Sequence, residues 1–175
     1  MSLLLRKFSR SKWEFNLHKD VGEFSADSIT GCTRTQSNTL SVWQTDDSNF
    51  DSESTKDVIA ALATSMDAPA TIDVIILDAN ELSGLGVEIE ETLGNTVYTA
   101  INSRHRDLSH LNYASLGVVS RYIVEQLGNE SSYKRITKSK LLEIVMSRVD
   151  QPNTFAKENL SDKWIQAIER IQMRC

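Results

Sequence analysis

The chain has 175 residues, of which 40% are apolar and 25% charged, with a formal net charge of −5. A chain of this size can bury about 70% of its unfolded surface, so no disulfide or metal staple is needed. Disordered, collagen-like and coiled-coil classes are excluded by composition, and no apolar run approaches the roughly 20 residues of a membrane helix. The expectation is a single globular domain over residues 1–175, with sub-lobes at 1–103 and 113–175.

Cys32 and Cys175 cannot make a disulfide framework and are expected as reduced thiols in a cytoplasmic protein. Charge is segregated along the chain. Residues 1–20 carry net +3, residues 21–99 net −12, and residues 100–175 net +4. Two readings follow: the basic ends pack beside the acidic middle, or the middle forms an acidic face for a basic partner or a metal.

Arg6, Lys7, Arg10 and Lys12 with Ser2, Ser9 and Ser11 loosely imitate a presequence, and Met1-Ser2-Leu3 resembles a cloning remnant. However, Trp13, Phe15 and Leu17 alternate with polar residues, which predicts a strand with one buried face. Residues 20–38 read as irregular, with room for a short helix after Asp27. Residues 39–45 predict a strand with Leu40 and Val42 on one face and Trp43 on the other. A polar, acidic loop follows at 46–54. Ser54 or Thr55 is placed to cap a helix bearing Val58, Ile59, Leu62 and Met66 at helical spacing. Residues 71–78 are β-branched without alternation, which predicts a central strand covered on both faces. Residues 85–92 and 96–101 predict a hairpin about a Gly-Asn turn.

The last third reads as helical. Leu116, Val119, Ile123 and Leu127 form one stripe within 113–127. A second helix opens at Thr137 or Ser139 and runs to about Val149, and Ser161 caps a third with Trp164, Ile165, Ile168 and Ile171. Strands first and helices afterwards predict an α+β fold. Its mixed or antiparallel sheet of about five strands is built mainly from the first 101 residues and packs with about three C-terminal helices.

Phosphate-binding glycine loops, HExxH, CxxC and GxSxG are all absent, so no cofactor and no bound metal are expected. Three groups of residues remain as candidates. The first is Trp43 with Asp46, Asp47, Asp51 and Glu53, where an aromatic with an acidic rim suits a protein interface, unless a helix covers the Trp. The second comprises Asp73, Asp78, Glu88 and Glu90 on strands, with His105 and His110 nearby. Carboxylates converging on a hard cation would support phosphodiester hydrolysis. Yet Asp73 and Asp78 point to opposite faces, and Arg104 and Arg106 flank His105. Asp107 or Ser109 serves equally well as a helix cap. The third group, Lys134, Arg135, Lys138 and Lys140 beside Tyr133, suits a nucleic-acid backbone, although the connection is too long for a helix–turn–helix.

The leading expectation is a small protein-binding or accessory protein acting through its acidic surface around residues 43–57. The alternatives are a metal-dependent hydrolase and, third, a nucleic-acid binder. No membrane partner is expected.

Overall fold

The computed structural model describes residues 2–33 and 35–173; the expectation for Cys175 falls outside them. Strand β1 (Leu3–Phe8) lies between β2 (Leu40–Thr45) and β3 (Ile72–Asp78). With β4 (Glu88–Glu91), β5 (His105–Ser109) and β6 (Tyr133–Ile136) they form one six-stranded sheet in the order β4-β5-β2-β1-β3-β6. Every pairing is antiparallel. The fold is therefore α+β, as expected. Two of the six strands, β5 and β6, come from beyond residue 101.

Helices cover both faces of the sheet. The side chains of Leu5, Val74 and Ile76 join a core with α3 (Glu53–Thr64), α6 (Lys138–Met146) and Trp164 and Ile168 of α7 (Asp162–Gln172). Leu4, Phe8, Ile75 and Leu77 join the opposite core with Leu82 of α4 (Ala79–Gly84) and Val119 and Ile123 of α5 (Tyr113–Leu127). Thus the unbroken apolar run of β3 is a strand buried on both faces, its alternate residues divided between the two cores.

Local chemistry fixes the helix starts. Asn112 accepts hydrogen bonds from the backbone N–H groups of Ala114 and Ser115, so neither Asp107 nor Ser109 caps α5. Thr137 caps α6. Ser52 accepts from Thr55 N–H, which starts α3 earlier than a Ser54 or Thr55 cap would. Asp78 caps α4 through the N–H groups of Asn80 and Glu81, a helix that the sequence pattern left unassigned.

Residues 13–17 are not a strand. They lie at the end of α1 (Arg10–Trp13) and in a 3-10 turn over Glu14–Asn16 that Leu17 closes. Trp13 is buried against Phe24, whereas Phe15 is 70% exposed. Buried Asn16 holds this geometry by accepting from Ser25 N–H and donating to the Ser28 hydroxyl. A short helix α2 (Ala26–Cys32) follows. The Arg6 guanidinium fills the space where β2 leaves β1, donating to the carbonyls of Ser41 and Cys32. Burial there pushes its pKa down to about 10.

The expected 85–92/96–101 hairpin does not form: β4 pairs with β5, and Thr99–Arg104 is a 3-10 helix. The Asn102 side chain holds the intervening segment through the backbone and hydroxyl of Thr96. Gly94 fits against Trp43, because an added Cβ would sit 2.6 Å from the indole ring. No described helix is long and apolar enough to cross a membrane.

Leu77 has 0% exposure, so Leu77→Ala is expected to cost about 2–5 kcal/mol in urea melts, as deletion of a core leucine does. A loss below about 1 kcal/mol would contradict the buried position assigned to β3.

Candidate functional site

Trp43 is 7% exposed and belongs to the core on the α3 side. Its ring packs edge-to-face against His105 at 4.9 Å, and Gly94 lies against its far edge. The covered alternative therefore holds, although the cover is the 92–104 segment as much as a helix. Trp43 offers no exposed anchor. His105 donates to or accepts from Thr92 Oγ1 at 2.7 Å, and burial pushes its imidazole below the usual value. It is held as a packing residue, not joined to His110.

The acidic loop is largely matched within the molecule. Asp46 pairs with Arg104 at 3.0 Å, and Asp51 pairs with Lys134 at 2.7 Å. Glu53 meets Lys56 at 2.9 Å and Arg148 at 2.7 Å. Hydrogen bonding from these cations holds the Asp51 and Glu53 carboxyls below the ordinary range. Asp47 accepts from Asn49 N–H in the turn itself. Buried Arg148 also reaches Asp57 at 2.9 Å. Tyr98 donates to the same carboxylate, and burial, reinforced by that charge, pushes its phenol up to about 12. The Arg148 cluster ties the start of α3 to the turn that follows α6.

The strand carboxylates do not converge as a set. Asp73 accepts from Arg135, Tyr133 and Arg10 N–H. Asp78 is occupied as the cap of α4. Glu88, Glu90 and His110 do come together on the outer edge of the sheet, away from Asp73 and Asp78. The basic group is mostly neutralised too: Lys134, Arg135 and Lys140 pair with Asp51, Asp73 and Glu143. Lys138 opens α6. Tyr133–Ile136, read as loop, forms edge strand β6.

A different feature is the most site-like. An apolar cleft of about 480 Å³ lies over α5. Ala114, Leu116, Gly117 and Val118 of α5 line it together with Val21 and Ile29. Tyr113, 93% exposed, and Leu85, 52% exposed, stand on its lip. Arg121 and Glu125 line it as well, and neither forms an ion pair among the described residues. Clefts of roughly 300–1,000 Å³ with mainly apolar linings and a few polar groups are the usual form of a binding site. Sequence reading missed it because the stripe Leu116, Val119, Ile123 and Leu127 already accounted for one buried face of α5. A signal was available: Tyr113, Ala114, Gly117 and Val118 make a second apolar face, and Arg121 and Glu125 are the helix's only charges.

No family model matches the chain, and neither a curated protein nor a solved structure matches it.

Two measurements test these assignments. Trp43→Ala is expected to cost about 3–5 kcal/mol of stability, as loss of a core aromatic does, whereas Asp46→Asn, in an exposed pair, should cost less than about 1 kcal/mol. Equal, small losses would return Trp43 to the surface. For Asp73, burial would raise the carboxyl pKa, but the Arg135 side chain, the Arg10 N–H and the Tyr133 hydroxyl outweigh it and lower the folded value. Its contribution is thus present above the ordinary value of about 4 and lost as pH falls through the lower folded value. Asp73→Asn should flatten the stability profile in that acid window; an unchanged profile would show that the network does not stabilise the charged form.

Proposed function

We propose that the protein works by binding another protein, and that its contact surface is the cleft over α5. The observation that carries this reading is the clustering of exposed apolar groups at one concavity: Tyr113 and Leu85 flank the same cleft. Contiguous apolar surface of this kind marks interaction sites, and a rigid aromatic beside a pocket is a common anchor. The small side chains of Ala114 and Gly117 in the lining would let a second backbone approach closely. Arg121 and Glu125 share this face of α5 at helical spacing, so the fitting partner is an amphipathic helix with an apolar ridge and charges of both signs along its flank. This moves the site from the acidic 43–57 surface, whose charges are matched internally. The hydrolase and nucleic-acid readings have less support, since Asp73, Asp78, Lys134 and Arg135 already have partners. A cytoplasmic setting belongs to the same proposal, and the free thiol of Cys32 is compatible with it.

The test uses Gly117. A Cβ there would meet only Val21, at an ordinary 3.8 Å, so Gly117→Leu should fill the cleft without disturbing the backbone. It should leave stability unchanged or raise it by up to about 1 kcal/mol, because glycine is a poor helix former. A photoreactive phenylalanine analogue at position 113 should crosslink a partner in native lysate, while the same probe at exposed Leu93 should not. Gly117→Leu should abolish the crosslink. A crosslink that survives in folded Gly117→Leu would overturn the proposal.

A further inference from the structure

The β4 edge of the sheet carries a second kind of chemistry. Glu88 and Glu90 are two apart on β4 and share a face. The β4–β5 register sets Glu88 opposite Ser109 and Glu90 opposite Asp107, so all four side chains project to one side of the sheet. Like charges directly opposite each other, as Glu90 and Asp107 are, disfavour strand pairing. Arg106 gives no relief on this side. It projects to the other face, where it pairs with Glu91 and Gln44.

His110 follows β5 with φ of 50°, and its Nδ1 lies 2.9 Å from Glu88 Oε2 and 3.6 Å from Glu90 Oε1. One ligand atom from each of Glu88, Glu90 and His110 fits within a set whose members are all within 4.8 Å of one another. A separate observation concerns Ser109. It is 4% exposed, and its buried Oγ has no hydrogen-bond partner. By register it lies on the same face as Glu88, and a buried hydroxyl left without a partner is uncommon.

We propose that Glu88, Glu90 and His110 bind one divalent transition cation, with Zn²⁺ the best match. Two carboxylate oxygens and one imidazole nitrogen form a mixed donor set. Mg²⁺ and Ca²⁺ favour oxygen ligands throughout, whereas imidazole suits Zn²⁺ and its neighbours. Three protein ligands leave a position for water, and the cation offsets the repulsion among Glu88, Glu90 and Asp107. No short motif marks the site, because two of its ligands lie on β4 and the third follows β5, some twenty residues further along the chain. The inference is independent of the cleft over α5.

The test is calorimetric titration of chelator-treated protein with Zn²⁺, and with Mg²⁺ in parallel, followed by ¹⁵N NMR of the histidine rings. One saturable Zn²⁺ site at sub-millimolar concentration is expected, with a perturbed His110 ring and no comparable Mg²⁺ binding. Glu88→Gln and His110→Ala should each weaken Zn²⁺ by at least roughly tenfold, the scale on which losses around a metal site act. These side chains are exposed, so circular dichroism of the metal-free variants should match that of the parent. Absence of saturable Zn²⁺ binding, or binding that persists unchanged in both variants, would overturn the proposal.

Discussion

The ladder between β1 and β3 is the constraint on which both cores depend. It runs through six paired positions, from Leu3 opposite Asp78 to Phe8 opposite Asp73. Because side chains alternate across a strand, this register sends Leu4 with Leu77 to one face and Leu5 with Ile76 to the other. A slip of one residue would exchange the two faces for the whole strand. Arg6 is the exception within β1: it stands beyond the last β1–β2 pair and donates to the carbonyls of Ser41 in β2 and Cys32 at the end of α2.

Electrostatics closes the structure around that seam. The basic last third of the chain returns to the acidic middle at several points. Arg104 meets Asp46, Arg106 meets Glu91, Lys134 meets Asp51, Arg135 meets Asp73, Arg148 meets Glu53 and Asp57, and Lys163 meets Asp67. The exposed pairs contribute little each. Arg148 differs, since it is buried and breaking its network would leave an uncompensated charge. Segregated charge in this sequence is therefore mainly a device of internal complementarity. Among the described residues Arg121 and Glu125 on α5 form no ion pair, and Glu88 and Glu90 on β4 meet only His110; binding is proposed at these two places.

Elements whose signal is local were legible in the sequence. β3 announces itself by a β-branched run, and α5, α6 and α7 by apolar stripes. Elements defined by distant partners were not. β6 reads as a basic loop because its lysine and arginine guard a sheet edge. β5 hides behind two charges and a histidine, with Leu108 its fully buried residue. Trp13, Phe15 and Leu17 alternate as a strand would, yet the buried Asn16 network holds that segment in helical turns. The same limit governs the sites. Glu88, Glu90 and His110 each stand out in the sequence, but only the β4–β5 register brings them together. The cleft needs residues 21–29 laid over α5, a packing that no periodicity encodes.

Hydrogen exchange of the protein alone and bound to its crosslinked partner is the most direct measurement of where binding occurs. Amide protection should appear in residues 21–29 and along the exposed face of α5, from Ala114 to Glu125, while the acidic loop at 46–57 exchanges as before. Protection confined to that loop, with α5 unchanged, would contradict the cleft as the contact surface.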